Sequence, residues 1–177
     1  PLHLISGNDG GINISYDGAQ TWTKCNSPAV GQFYTVAVDN QKKYNVYGGL
    51  QDNGTWRGPN DYEYSTSWHQ EGQYPYQRIG GGDGMQVQID PRDNTVYTGS
   101  QYGNYNYRDA AGKSHQIHPK HELKEPKLRW NWQTPILLSA HDPDVFYIGS
   151  NKLHRSTEQY KNFKTISRDL THGAKQG

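Results

Sequence analysis

A motif of Val-Tyr or Phe-Tyr, one further residue and then Gly recurs three times in the 177-residue chain, placing Tyr47, Tyr97 and Tyr147 at intervals of 50 residues. The three stretches are "KYNVYGGLQDNGTWRG" (43–58), "DNTVYTGSQYGNYNYRD" (93–109) and "PDVFYIGSNKLHRST" (143–157). A fourth, "LHLISGNDGGINIS", fits the same frame. Each of the three is preceded by a second short apolar run: "YTVAVD" (34–39), "MQVQID" (85–90) and "PILLSAHD" (135–142). These runs end in polar turns, two of which hold Asp-Pro, at Asp90-Pro91 and Asp142-Pro143. Proline there presets a turn dihedral and cannot donate to a sheet ladder. A unit of this kind cannot bury its apolar face alone, so it must stack on its neighbours.

A period of about 40–50 residues holding four short strands is the signature of a β-propeller blade. The expected fold is therefore all-β, a propeller of four-stranded antiparallel blades. The first strand of each blade is expected at 34–38, 85–89 and 136–139. The second is expected at 45–49, 95–99 and 145–149, with Leu2–Ser6 as the second strand of an incomplete blade. The count is three full blades and one partial blade of a larger propeller. Blade boundaries fall at 1–30, 31–79, 80–130 and 131–171, with a tail at 172–177. The chain opens on "PLHLISG", which reads as the middle of a strand and implies sequence upstream.

Composition agrees with strands. Aliphatic residues are scarce, and 14 Tyr and 5 Trp supply core surface in their place. Twenty Gly favour turns over helices. The net charge of +1 removes self-repulsion as a cause of disorder. A lone cysteine, Cys25, excludes an internal disulfide and any CxxC metal or haem motif. His115, His118 and His121 recur every third residue, a spacing that neither a strand nor a helix gathers on one face, so no metal site is expected there. The basic stretch Arg108–Arg129 reads as a solvated loop and lacks the density of a nucleic-acid patch. No apolar run is long enough to span a membrane. No cofactor motif is present: the chain lacks a nucleophile elbow, HExxH and a phosphate loop.

Ser15, Asp17, Thr21 and Trp22 match the Asp-box pattern Ser-x-Asp-x-Gly-x-Thr-Trp, with Ala19 in the Gly position and Gly18 beside it. A degenerate copy at "STEQYKNF" keeps Ser156 and places Phe163 where Trp would stand. Together with "GQFYTVAVD", "GGGDGMQVQIDP" and "ISRDL", these residues resemble the sortilin-like, BNR-repeat propellers often labelled glycosyl hydrolases. The resemblance implies that the Asp box is a structural turn between the third and fourth strands. The short acid and hydroxyl can accept bonds from turn N–H groups. The aromatic is expected to pack between sheets, a burial contributing up to ~4–6 kcal/mol. It also implies export, hence an extracytoplasmic location.

Blade geometry then sorts the loops. Turns between second and third strands share one face with the connectors that lead into each first strand. Asp9, Asp52, Asp83, Phe33, Tyr34, Trp130, Trp132, Arg78 and Gln101 are expected to converge there. Asp52, Trp56, Arg78, Phe33, Tyr34, Trp130 and Trp132 are the candidate ligand contacts, since exposed aromatic faces suit sugar CH surfaces. A glycosidase needs two carboxylates about 5–10 Å apart, and Asp9 and Asp83 are the candidates. Asp9, in "NDGG", also resembles the catalytic Asp of the Thr-Asp-x-Gly-Gly turn in xyloglucan-cleaving propeller glycosidases, with Asn8 in place of Thr. Asp-Gly is equally an ordinary hairpin turn. Three functions follow: a module binding a glycan, protein or peptide; a glycoside hydrolase; or a structural blade array in a larger surface assembly. In each case the remaining blades of the same propeller are a partner.

Overall fold

The computed structural model describes residues 2–8, 11–25, 31–63, 65–67, 74–109 and 113–173. The fold is all-β. Its strands are β1 (Leu4–Asn8), β2 (Gly11–Ser15), β3 (Thr23–Cys25), β4 (Phe33–Val38), β5 (Asn45–Leu50), β6 (Gly54–Pro59), β7 (Gln77–Gly80), β8 (Gln88–Ile89), β9 (Val96–Ser100), β10 (Asn104–Arg108), β11 (Ser114–Ile117), β12 (Ile136–Leu138), β13 (Phe146–Gly149), β14 (Leu153–Ser156) and β15 (Lys164–Thr165). A short 3-10 turn, Gln101–Gly103, links β9 to β10.

They form four antiparallel meanders in chain order: β1–β2–β3, β4–β5–β6–β7, β8–β9–β10–β11 and β12–β13–β14–β15. β8 packs against both β4 and β12, so the first strands of the last three sheets adjoin. The 50-residue repeat reappears in the register. Tyr47 pairs with Arg57 and Gly49 with Thr55, just as Tyr97 pairs with Tyr107 and Gly99 with Tyr105. β8 is shorter than the run 85–89, although Met85 N still donates to Gly99 O at 2.9 Å. The Gln86 and Gln88 side chains reach outward, and their Oε1 atoms accept from Ile136 N (2.8 Å) and Leu138 N (3.2 Å) of β12.

The apolar core lies between the third and fourth sheets. Met85, Tyr97, Tyr105, Ile117, Ile136, Phe146 and Ile148 are buried there together. Tyr97 meets Phe146 at 5.0 Å between ring centroids, and Tyr105 donates to Thr134 O at 2.7 Å. Phe163 packs edge-on against Phe146 at 6.2 Å, so the aromatic of the degenerate turn is anchored on this core. Trp22 is not. It is 45% exposed, contrary to the expected packing between sheets. Burial of an aromatic requires a facing sheet. Ile5 and Ile12 of the same three-stranded sheet are also exposed, while Leu4 and Ile14 are partly buried.

Both Ser-x-Asp/Glu turns are nevertheless closed by the expected bonds. Ser15 Oγ accepts from Ala19 N (2.9 Å) and donates to Asp17 Oδ1 (2.9 Å). Asp17 accepts from Thr21 N (2.9 Å) and Thr21 Oγ1 (2.6 Å). In the second turn Ser156 Oγ accepts from Glu158 N (2.9 Å) and donates to Lys161 O. The Thr21 hydroxyl and amide, with Ser15, lower the Asp17 carboxyl from 3.8 to about 2. A depressed folded-state value stabilises the fold above the unfolded pKa and loses that contribution as pH falls through the folded one. The Asp17 contribution should therefore be intact above pH 3.8 and fade toward pH 2. Urea unfolding of the parent and of Asp17→Asn across that window should converge at the acid end. Parallel curves throughout would remove Asp17 from the acid sensitivity.

The turn between first and second strands uses a buried acid that the sequence reading passed over. Asp39 accepts from Asn45 N (3.1 Å), Asn45 Nδ2 (2.8 Å) and Tyr47 Oη (3.0 Å). Burial alone would raise its pKa, and these hydrogen bonds, with those from Gln41, outweigh it and hold the carboxyl low. Asp90 occupies the same place in the next sheet, but Arg92 takes both of its oxygens, at 3.0 and 2.7 Å. Tyr97 Oη consequently has no hydrogen-bond partner among the described residues. Tyr47→Phe should then cost about 1.5–3 kcal/mol, the worth of a bond to a charged acceptor, while Tyr97→Phe should be neutral or slightly stabilising. Chemical denaturation of the two variants checks the contrast, and equal losses would refute it.

Candidate ligand-binding face

Among the described residues, the turns between second and third strands of the last three sheets and the connectors into their first strands lie together, tied by a chain of hydrogen bonds. Gln51, Gln101 and Asn151 occupy equivalent turn positions, 50 residues apart. Within each sheet the turn bonds to the connector of that sheet. Gln51 N donates to Gln32 O (2.9 Å), Asp83 N to Gln101 Oε1 (3.3 Å), and Asn151 N to Arg129 O (2.8 Å). Between sheets the turn bonds to the next connector. Gly84 N donates to Leu50 O (2.9 Å), Asp52 N to Asp83 Oδ1 (2.7 Å), and Tyr102 N to Trp132 O (3.2 Å). Each of these bonds satisfies a loop group that would otherwise be unpaired, so the face is held in one shape.

Asp83 is the central strut of this belt. Its carboxylate receives the Asp52 amide, its own amide bonds Gln101, and it is only 4% exposed. Asp52 stands at the rim with a left-handed φ of 61°, its side chain exposed to solvent. Beside it, Trp56 is half-buried and its indole N–H donates to Asn53 O at 2.7 Å. Arg78 is exposed, with Nε donating to Gly80 O at 3.1 Å. Asp9 lies outside the described residues.

The aromatic candidates separate into two groups. Trp132 is 41% exposed and meets Tyr102 edge to face at 5.4 Å. Tyr102 is 55% exposed and has a φ of 59°, an uncommon conformation for a tyrosine, fixed by its amide bond to Trp132 O. Trp130 is half-buried, with its ring near His118 (5.5 Å) and His154 (6.1 Å). Phe33 is exposed at one end of β4, where the ladder register shifts, and its ring covers Gly48. Tyr34 is half-buried and lines a 240 Å³ cavity with Thr35, Met85, Gln86, Gln133, Thr134 and Pro135, where β4 and the segments leading into β8 and β12 approach one another.

Tyr102, Arg129, Asn151 and Asp169 were not singled out from the sequence. Asp169 accepts from Arg129 (2.8 Å), Asn151 Nδ2 (3.0 Å) and Thr171. Those bonds, the Thr171 amide and hydroxyl foremost, hold its carboxyl well below the usual carboxylate range. The 50-residue interval joining Gln51, Gln101 and Asn151 was the available signal for the turn positions. Among the described residues no group of three His, Cys, Asp or Glu side chains is placed to hold a metal ion. Among them, too, no helix is long and apolar enough to cross a membrane. Chemically, the face offers exposed π surfaces on Trp132 and Tyr102, with an acid and a guanidinium at the rim. That combination suits stacking and hydrogen bonding to an amphipathic ligand.

No protein-family model matches the chain, and no curated protein does. Among solved structures it is similar to the crystal structure, at 2.23 Å resolution, of an auxiliary nutrient binding protein from Bacteroides thetaiotaomicron VPI-5482. The TM-score is 0.52 at 10% sequence identity, over 95% of this chain and 39% of that one. The chain thus spans about two-fifths of that protein's length, and the likeness is one of β-rich fold.

Proposed function

We propose that the chain is an arc of an extracytoplasmic β-propeller of the BNR, sortilin-like kind, acting as a glycan- or protein-binding module through its belted loop face. In this reading the four meanders are one partial and three full blades, with boundaries near 1–30, 31–79, 80–130 and 131–171. The observation that carries it is the Trp132–Tyr102 pair, solvent-exposed yet held by backbone bonding. Fixing exposed aromatics before the ligand arrives lowers the entropic cost of binding. The nutrient-binding name of the similar solved protein supports a binding role. Affinity electrophoresis through gels of plant and bacterial polysaccharides tests it. The parent should be retarded by at least one polymer, and Trp132→Ala should lose about 30-fold in affinity, the lower bound of a hot-spot loss. No retardation by any polymer, or undiminished retardation of the variant, would overturn the glycan form of the proposal.

Hydrolysis by Asp9 and Asp83 is the competing reading. The Asp83 carboxylate accepts the Asp52 amide and is shielded from solvent, which suits a strut better than an acid, base or nucleophile. Reducing-sugar assays on Asp9→Asn and Asp83→Asn separate the two: turnover by the parent that disappears in both variants would establish hydrolysis.

A further inference from the structure

The layers between sheets are built from equivalent positions but filled differently. Facing the fourth sheet, the third sheet presents Tyr105 and Tyr107. At the same positions, 50 residues earlier, the second sheet carries Thr55 and Arg57. From the other side, the fourth sheet fills its layer with Phe146, Ile148 and His154. Their counterparts in the third sheet, by register, are Val96, Thr98 and Asn106. The third-sheet wall of the layer between the second and third sheets therefore carries no aromatic at these positions, and the second-sheet wall keeps the buried Tyr47, the counterpart of Tyr97, but lacks those of Tyr105 and Tyr107. A 290 Å³ cavity lies there, between β7 and the polar face of β9, β10 and β11.

Its lining is mostly polar, with Ile79 and Tyr107 as the apolar members and Asn104 already donating to Gln101 O at 2.7 Å. Thr98, Ser100, Asn106, Arg108 and Ser114 all line it, and no carboxylate does. Among the described residues none of these five side chains has a hydrogen-bond partner. Hydroxyls and an amide both donate and accept, which matches the dual character of sugar hydroxyls. A guanidinium takes a carboxylate through two parallel bonds, and no acid in the lining opposes an anion. The volume lies at the lower end of small-molecule sites, about 300–1,000 Å³. We propose that the cavity between the second and third sheets binds an acidic sugar, with Thr98, Ser100, Asn106 and Ser114 on its hydroxyls and Arg108 on its carboxylate. It shares no lining residue with the Trp132–Tyr102 pair, although Ser100 and Asn104 flank the turn that carries Tyr102.

The test is a nitrogen–proton NMR titration of the whole chain with galacturonic acid, glucuronic acid, galactose and acetate. Polar ligands in an open cleft bind weakly, so a Kd of about 1 mM is expected for the better sugar acid. Shifts should appear at residues 98–114, including the Asn106 amide. That acid should bind about tenfold more tightly than galactose, a difference typical of one charge-assisted bond. Arg108→Gln should abolish the preference, and Asn106→Leu should weaken acid and neutral sugar alike, with unchanged thermal unfolding as the folding control. Trp132→Ala should leave all of this unaltered. Absence of shifts with both sugar acids, a preference that survives Arg108→Gln, or acetate binding as tightly as the better sugar acid would overturn the proposal.

Discussion

Alanine at Phe146 is expected to lower the free energy of unfolding by about 3–5 kcal/mol. Phe146 is fully buried, with the Tyr97 ring on one side at 5.0 Å and the Phe163 ring edge-on at 6.2 Å. Its removal takes away both the transfer free energy of an aromatic and the support of two neighbouring rings. The surrounding strands cannot collapse onto the gap, because Tyr105 is pinned by its hydroxyl to Thr134 O and Ile136 by its amide to Gln86. Phe33→Ala is the matched control, since that ring is half exposed at a strand end. Urea unfolding reads both. A loss below about 1 kcal/mol at Phe146, within the range of surface changes, would mean that the layer between the third and fourth sheets is not the principal core.

The second large effect is expected from one methyl group. A Cβ built on Gly49 would stand 2.2 Å from Met85 O and 2.3 Å from the Gly84 carbonyl carbon. Both obstacles are backbone, and both belong to a segment held by Gly84 N to Leu50 O and Met85 N to Gly99 O. No rotamer change can relieve the clash, so the second and third sheets must part. Gly49→Ala should cost about 3 kcal/mol, the upper part of the overpacking range. Gly7→Ala, whose Cβ would meet nothing within 4 Å, should stay within about 0.5 kcal/mol of the parent. Comparable losses at both positions would contradict close sheet stacking as the reason for the repeated glycine.

Strand positions were legible because the repeat encodes them twice, once in the Tyr-x-Gly spacing and once in the apolar run before it. β4, β5, β9, β12 and β13 all start within one residue of their expected positions. The convergence of Asp52, Asp83 and Gln101 was legible from loop order alone, because meanders in sequence fix which turns share a face. Their bonding was not. The Asp52 amide reaches a carboxylate 31 residues away, and nothing local in "GGGDG" marks that contact. Trp22 shows the opposite limit. Its turn is written in the local sequence and forms, yet its burial depends on a facing surface that local sequence does not describe. The polar layer was legible in principle. Thr55 and Arg57 stand where the repeat elsewhere has Tyr105 and Tyr107, a difference visible only after the repeats are superposed by register.

The indole N–H signals of the five tryptophans give the most direct test of the proposed binding face. Trp132 and Trp22 are similarly exposed, at 41% and 45%, but only Trp132 stands on the belted loops. On titration with an oligosaccharide from whichever polysaccharide retards the protein, the Trp132 signal should shift in a saturable way while that of Trp22 stays fixed. A saturable shift at Trp22 with Trp132 unmoved would contradict the account.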